Sequence, residues 1–206
     1  MPRFWLLKCE PDVYSIDDLA RDRRTGWDGV RNYQVRNFMR DEMQPGDLGI
    51  FYHSNASPSG AAGVLRIERT GVADPTQFDP KSEYHDPGSR REQPTWLMCE
   101  VSFVERFARV VALDELRSHP ALADMLILRR GNRLSITPLA EGEFEAIRTL
   151  GRSGGGPAGS PRTGAAEAKA AGKRGGVGAE LKRGGQAAGV RRGGPRAGGS
   201  RRGSAR

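Results

Sequence analysis

All three Trp, all four Tyr and all seven Phe of the chain lie before residue 152. These side chains supply much of the apolar surface that offsets the conformational entropy lost on folding, and about 150 residues suffice for one core. From residue 152 to residue 206 the chain is mostly Gly, Ala and Arg, with few sizeable aliphatic side chains. We therefore predict one folded domain over residues 1–151 and a disordered, basic Gly/Ala/Arg-rich tail over residues 152–206.

The charge of the chain divides at the same place. Of its 33 Lys and Arg and its 25 Asp and Glu, 13 and 2 lie from residue 152 onward, which leaves 20 and 23 before it. The pI near 10.1 and the formal charge of +8 of the whole chain therefore arise from the tail, whereas the net charge of the predicted domain is near −3. Any contact between this domain and nucleic acid must come from a local site rather than from a generally basic surface.

Cysteine usage and hydropathy indicate the compartment. Cys9 and Cys99 are too few and too far apart for a disulfide scaffold or a zinc site, which predicts buried, reduced thiols and a cytoplasmic protein. No run of 18 apolar residues occurs, and the apolar run that begins at Phe4 is too short for a signal peptide, so no membrane contact is expected. Arg outnumbers Lys by 28 to 5, and Gly and Ala are abundant, which favours a GC-rich genome such as a bacterial one.

The order of apolar runs and chain breakers predicts an α+β fold. Helix-start residues such as Ser15 and Asn32 precede two of the predicted helices. Strands are predicted at 4–8, 48–53, 62–69, 96–111, 125–128 and 133–137, helices at 16–22, 33–43, 113–118 and 139–150, and loops at 25–30 and 74–94. This order suits a mixed, mostly antiparallel, barrel-like sheet with helices at its rim.

The most unusual cluster of side chains is the segment from Trp27 to Phe38, WDGVRNYQVRNF. Aromatic rings, amides and guanidinium groups are the groups needed to hold a flat base, because a ring stacks on it, Asn reads its edge and Arg neutralises phosphate. An equally weighted interpretation is that Trp27 and Tyr33 fill the core and that Arg31 and Arg36 are solvated.

Two smaller clusters also carry polar side chains. His53, at the end of a predicted strand, could donate to a base or a phosphate, although a lone His there is more often structural. Arg129, Arg130 and Arg133 either line a phosphate path or form a solvated turn. Adjacent strand residues point to opposite faces, so His53 and Ser54 do not form a nucleophile–base pair, and no His or Cys spacing predicts a metal or cofactor site.

Four motifs, in the order WDGVRNYQVRNF, PGDLGIFYHSN, DPxSRxxxPTW and NRLSITPL, resemble those of the EVE domain family, in its branch related to thymocyte nuclear protein. The likeness runs from Phe4 to about Leu150. It implies a PUA-like pseudo-barrel that binds modified bases, such as 5-methylcytosine and its oxidised forms, in DNA or RNA through an aromatic pocket. Carried over by position, the resemblance implies these nucleobase-binding residues: Lys8, Trp27, Val30, Asn32, Tyr33, Tyr52, His53, Ser54, Trp96, Arg133 and Ser135.

The function that we expect is therefore non-catalytic recognition of a modified nucleobase. The resemblance extends to ASCH-type hydrolases, so an alternative is hydrolysis of a modified nucleoside by Lys8, Tyr52 and His53. A third is a protein-interaction domain with a filled pocket. The expected partner is nucleic acid with modified bases, which would make the protein nucleoid-associated if that partner is DNA. The tail either adds salt-sensitive contacts to the phosphate backbone or has no selected role.

Overall fold

The computed structural model describes residues 3–154, in which six strands form one sheet in the order β2-β5-β4-β3-β1-β6. The strands are β1 (Phe4–Cys9), β2 (Arg24–Trp27), β3 (Leu48–His53), β4 (Gly60–Ala73), β5 (Leu97–Ala112) and β6 (Ile136–Leu139). The helices are α1 (Ile16–Asp22), α2 (Tyr33–Asn37), α3 (Leu113–Ser118) and α4 (Glu141–Arg152). The predicted tail lies outside the described residues, apart from its first three.

The sheet is mixed and mostly antiparallel, as predicted. β1 pairs with β3 in parallel, whereas every other neighbouring pair in the described sheet is antiparallel. A short π-helical turn, Phe38–Glu42, continues α2, and 3-10 turns occupy Pro75–Phe78, Pro120–Leu122 and Leu126–Leu128.

A contact between Trp27 and Phe51 shows that the sheet is strongly curled. Trp27 ends β2, and β5 and β4 lie between β2 and the strand that carries Phe51. In a flat sheet these positions would be about 14 Å apart, because neighbouring strands are spaced by about 4.8 Å. The ring centroids are nevertheless 5.4 Å apart and meet edge to face. The sheet is thus barrel-like, although its edge strands β2 and β6 do not pair with each other.

Each face of the curled sheet carries its own hydrophobic core. On the face that we call the α2 face, Leu7 and Phe51 of the sheet pack with α1 and α2. On the opposite face, the α4 face, Leu6 and Ile50 pack with α3 and α4. Leu6 and Leu7 are neighbours in β1, so the alternation of side chains along a strand supplies both cores.

Several predicted elements differ from the structure, among them the strand predicted at 133–137, which spans Ile136–Leu139. Residues 25–30 are not all loop, because β2 forms where Thr25 to Trp27 pair with β5. Residues 125–128 form a 3-10 turn rather than a strand. The helix predicted at 33–43 is α-helical only to Asn37. The last helix begins at Glu141 rather than Leu139, because Pro138 is accommodated in β6, which is an edge strand.

The predicted burial of both thiols is confirmed. Cys9 and Cys99 are fully buried and no disulfide joins them in the described part of the chain, and burial raises the pKa of each thiol to about 12. No helix within residues 3–154 is long and apolar enough to cross a bilayer.

We expect Gly151→Ala to destabilise the domain. Gly151 is buried in α4, and a Cβ there would overlap the ring of Phe107 on β5. Such overpacking typically costs about 1–3 kcal/mol. Gly142 lies in the same helix with open space around its Cα, so Gly142→Ala should instead raise the free energy of unfolding by up to about 1 kcal/mol, the propensity difference between Gly and Ala. Urea unfolding followed by Trp fluorescence measures both, and equal effects would contradict this packing of α4.

Candidate nucleic-acid interface

Three strand ends meet at one edge of the sheet, which we call the strand-end edge. β1 and β3 run parallel, so Cys9 and His53 end them side by side, and the Ser54 amide donates to the Cys9 carbonyl at 2.9 Å. β6 begins at the same edge, where the Lys8 amide donates to the Ser135 carbonyl at 2.8 Å. This edge thus brings together four of the predicted site residues.

The sheet separates the three residues of the hydrolase alternative. Lys8 and Tyr52 are register partners on β1 and β3 and lie on the α4 face, where Tyr52 belongs to the same core as Ile50. His53 lies on the α2 face, with its ring perpendicular to that of Phe51 at 5.5 Å. The three side chains therefore do not converge on one substrate atom.

Burial shifts the pKa values of Lys8 and Tyr52 on the α4 face. The side chain of Lys8 makes no hydrogen bond or ion pair with any described residue, and burial lowers its pKa. Burial also raises the pKa of Tyr52 to about 12. Tyr52 is therefore a neutral phenol at physiological pH.

His53 has a structural role at the start of α1. The backbone N–H of Ile16 donates to its Nε2 atom at 3.2 Å, and Ser15 and Asp18 complete a capping box beside it. Burial lowers the pKa of His53, an effect that the negative charge of Asp17 partly opposes. Because Nε2 must be unprotonated to accept this bond, the imidazole is neutral. No group of three or more His, Cys, Asp or Glu in residues 3–154 is arranged to hold a metal ion.

Trp27 and Val30 lie in the core of the α2 face, with exposures of 0% and 2%. The indole N–H of Trp27 is buried and has no acceptor among the described residues. Buried Trp usually finds a partner for this group, and an unsatisfied donor typically costs about 1–3 kcal/mol. A polar ligand that reached this core could supply the missing acceptor.

Asn32 combines two roles at the start of α2. Its Oδ1 atom accepts hydrogen bonds from the backbone N–H groups of Gln34 and Val35 at 2.9 and 3.1 Å, which caps the helix. Asn32 also lines a cleft of about 510 Å³, which we call the basic cleft. The other residues that line the basic cleft are Gln34, Leu126, Arg129, Arg130, Gly131, Asn132, Arg133 and Leu134.

The basic cleft carries positive charge that no ion pair within the described residues neutralises. No carboxylate lines it, and Arg129, Arg130 and Arg133 form no ion pair with any described residue. By contrast, the exposed Arg40 and Arg106 are each paired with an Asp. Three unpaired guanidinium groups in one concave surface are suited to bind phosphate.

Tyr33, the residue that follows Asn32 in the chain, has 59% of its surface open to solvent. Its ring centroid lies 4.8 Å from that of Trp96, at an interplanar angle of 30°, and the guanidinium of Arg36 lies 4.9 Å from the Tyr33 centroid. The indole N–H of Trp96 donates to Asp86 at 2.8 Å. The Tyr33 ring is thus held in place while much of its surface stays open.

The loop that follows β4 is attached to this region by a buried ion pair. The guanidinium of Arg31 donates to Asp74 at 2.7 Å, and the Asp74 side chain is fully buried. The same carboxylate accepts from the N–H of Gly29 at 2.9 Å and from the hydroxyl of Thr76 at 2.6 Å. Gly29 has a φ of 74°, which an L side chain rarely adopts. The arginine also bonds the Tyr84 carbonyl, so both ends of this contact are fixed.

Sequence reasoning missed this ion pair and its neighbour Gln77. The buried Gln77 amide donates to the carbonyl of Trp96 at 2.8 Å and accepts from its N–H at 2.9 Å, which closes the loop. A signal was available in the dipeptide of Asp74 and Pro75, since an Asp followed by Pro commonly starts a helical turn. The partner 43 residues earlier gives no such local signal.

The domain is similar in sequence to a known domain family and to known proteins. The model of the EVE domain matches residues 3–150. Thymocyte nuclear protein 1 of Danio rerio is 41% identical over 165 residues, which cover 71% of this chain and 71% of that protein. Thymocyte nuclear protein 1 of Homo sapiens is 39% identical over 165 residues, which cover 71% of this chain and 72% of that protein.

Solved structures show the same architecture. A hypothetical protein from Leishmania major is 42% identical, with a TM-score of 0.70 over 73% of this chain and 95% of that one. The human THYN1 protein in complex with DNA containing 5-methylcytosine is 37% identical, with a TM-score of 0.68 over 73% of this chain and 98% of that one. These similarities support the α+β fold and the family resemblance found in the sequence.

The role of His53 predicts a defined pH dependence of stability. Its pKa in the folded domain lies below the unfolded value of 6.5, so the unfolded chain binds more protons between the two values. The stability that His53 contributes is complete above about pH 6.5 and declines as the pH falls toward the folded pKa. His53→Gln should remove this part of the pH dependence. The difference in the free energy of unfolding between the wild type and His53→Gln should therefore shrink as the pH falls from about 8 to about 5. His85→Gln, at an exposed position, is the control, and parallel pH profiles for wild type and His53→Gln would contradict the assignment.

Loss of the buried carboxylate should strongly destabilise the domain. Asp74→Asn leaves the Arg31 guanidinium, whose side chain is only 14% exposed, without its counter-charge, and breaking one side of a buried pair typically costs about 3–5 kcal/mol. Asp41→Asn is a matched control, because its pair with Arg40 is solvent-exposed and its loss should leave the urea midpoint nearly unchanged. Equal midpoints for the two variants would show that the buried pair does not hold the loop.

Proposed function

The chain belongs to the EVE domain family, and we propose that its folded domain is a non-catalytic module that binds nucleic acid carrying a modified base of the 5-methylcytosine type. The proposal joins two features of the domain. The basic cleft offers unpaired positive charge for the phosphate backbone, and the neighbouring strand-end edge offers polar groups for a base. The human THYN1 protein, which has been solved in complex with DNA containing 5-methylcytosine, supports the choice of ligand.

The observation that carries the proposal is the absence of carboxylates from the basic cleft. The sequence before residue 152 has a small excess of acidic residues, so most of its arginines have carboxylates available to them. Arg129, Arg130 and Arg133 nevertheless remain unpaired among the described residues and line one cleft of about 510 Å³. Arginine presents a planar fork of donors that matches phosphate oxygens. A polyanion is therefore the partner that this surface fits best.

We propose that the modified base enters from the cleft toward the strand-end edge and the core of the α2 face. The Oδ1 atom of Asn32 is used by the helix cap, which leaves its amide N–H groups as donors. Ser54 and Ser135 lie at the edge and add hydroxyl groups, and Trp27 has an indole N–H without an acceptor. Donors of this kind suit the acceptor edge of a pyrimidine. The methyl group would be buried against apolar neighbours such as Val30.

A catalytic role is not favoured by the positions of the side chains. Lys8 and Tyr52 lie on the α4 face, whereas His53 lies on the other face and uses Nε2 to accept a backbone hydrogen bond. A hydrolase needs its acid, base and nucleophile within hydrogen-bond reach of one substrate. We therefore assign Lys8, Tyr52 and His53 supporting positions around a binding site.

We propose that the tail adds a second, sequence-independent contact with the phosphate backbone. Replacing the Lys and Arg residues of 155–206 with Ser in the full chain should lower affinity equally for modified and unmodified oligonucleotides and should flatten the salt dependence. A selective loss for one of the two oligonucleotides would contradict this role. The cytoplasm is the compartment that we propose for this activity.

Recognition of the methyl group can be measured by fluorescence anisotropy with the full chain. Single-stranded and duplex DNA with one central 5-methylcytosine are compared with the same sequences carrying cytosine. Burying one methyl group contributes about 0.8 kcal/mol, so the methylated strand should bind about fourfold more tightly. Equal affinities at all salt concentrations would exclude recognition of this modification.

The basic cleft is tested by replacing Arg129, Arg130 and Arg133 together with Gln. Each lost phosphate contact removes about 0.7–0.9 from the slope of log K against log salt concentration, so the slope should flatten by about 2 to 3. The control variant replaces Arg21, Arg40 and Arg106, which lowers the net charge equally but lies outside the cleft. Equal slopes for the two triple variants would show that the cleft does not contact phosphate.

A further inference from the structure

We infer that Tyr33 is a stacking platform for the base next to the recognised one, so that the domain engages an unpaired strand of at least two nucleotides. This inference rests on the proposed function and specifies its substrate class. It assigns Tyr33 a place outside the pocket for the modified base.

The ring of Tyr33 is largely open to solvent. Among the described residues the large apolar side chains that are exposed are Tyr33, at 59%, and Val13, at 50%. Trp96, against which the Tyr33 ring packs, is only 7% exposed. A ring that is mostly open to solvent cannot form the wall of an enclosed pocket, but it can receive a base from outside.

The Tyr33 ring is held by its neighbours before any ligand binds. Trp96 supports it at 4.8 Å, and the indole of Trp96 is itself held by the Asp86 carboxylate at 2.8 Å. Arg36 lies 4.9 Å from the ring centroid and is bound to the carbonyl of Thr95 at 3.2 Å. A base that stacks here therefore immobilises little that is not already fixed, which lowers the entropic cost of binding.

Tyr33 follows a residue of the basic cleft in the chain. Asn32 lines the cleft, and Tyr33 is the next residue in the chain. A strand whose phosphates lie against Arg129, Arg130 and Arg133 therefore passes within reach of the Tyr33 ring. Arg36 forms no ion pair with any described residue, so its guanidinium also offers positive charge and a planar surface to the same strand.

Stacking on the Tyr33 ring requires a base with a free face. In a duplex both faces of each base are covered by its neighbours, so an aromatic side chain can stack only where a face has become free. Such faces exist in a single strand and beside the gap left by an extracted base. The ordered, exposed ring of Tyr33 fits either situation, and both are unpaired at the point of contact.

The test uses the full chain, a single-stranded oligonucleotide with one central 5-methylcytosine, and two versions in which one or the other neighbouring base is replaced by an abasic site. Tyr33→Ala should weaken binding to the intact oligonucleotide by about 5- to 150-fold, the range expected for one stacked base. Tyr33→Phe should bind like the wild type, because the ring is retained. Val13→Ala, at the other exposed apolar position, should also bind like the wild type.

For one of the two abasic oligonucleotides, the affinity of the wild type should fall to the affinity that Tyr33→Ala has for the intact oligonucleotide. Tyr33→Ala itself should bind this abasic oligonucleotide and the intact one equally well. The preference for 5-methylcytosine over cytosine should be the same in wild type and Tyr33→Ala. If each abasic site costs the variant as much as the wild type, or if Tyr33→Ala abolishes the methyl preference, the platform assignment is wrong. Loss of methyl preference in the wild type itself would instead overturn the proposed function.

Discussion

The buried carboxylate of Asp74 determines how the proposed interface is held together. It binds the guanidinium of Arg31, the backbone of Gly29 and the hydroxyl of Thr76, and so joins the segment before α2 to the loop after β4. Arg31 lies 5.4 Å from the rings of both Trp96 and Tyr84. The support of Tyr33 by Trp96 and the placement of Asn32 beside the basic cleft therefore both depend on one desolvated charge.

The arginines of the domain divide into two groups by their partners. One group neutralises acidic side chains, as Arg109 does in its contact with Glu115 at 2.6 Å. The other group lacks carboxylate partners within residues 3–154 and includes Arg129, Arg130 and Arg133, which together line the basic cleft. A domain with a small net charge can thus attract a polyanion locally without a generally basic surface, because a field from opposite charges in close pairs decays faster than one from unpaired charges.

Local signals predicted the parts of the fold that depend on neighbouring residues. Ser15 and Asn32 act as the helix caps that their types suggest, and the apolar run of β3 ends at His53 as expected. β2 was missed because its four residues are stabilised by pairing with β5, some 75 positions later, and not by their own propensity. Pro138 indicated a helix start, but the edge position of β6 lets a proline remain in a strand.

The sequence predicted which residues form the candidate site but did not predict the face of the sheet on which each side chain lies. Strand alternation alone places Tyr52 and His53 on opposite faces, yet the family resemblance groups them together because both lie in one motif. The burial of Trp27 was one of two weighted interpretations, and only the curl of the sheet decides it, since Phe51 reaches Trp27 across two intervening strands. The partnership of Arg31 and Asp74 spans 43 residues and had no periodic pattern to indicate it.

The double use of Asn32 has a consequence for reading the sequences of relatives. Ser, Thr and Asp cap a helix about as well as Asn, so natural variation at this position need not disturb α2. An ionised Asp, however, has no donor to offer to a ligand beside the arginines, whereas the amide of Asn has two N–H donors. A relative with Asp at the equivalent position would keep the helix but would present a negative charge to the basic cleft. The residue at this position can therefore distinguish relatives that keep only the fold from relatives that also keep nucleic-acid binding.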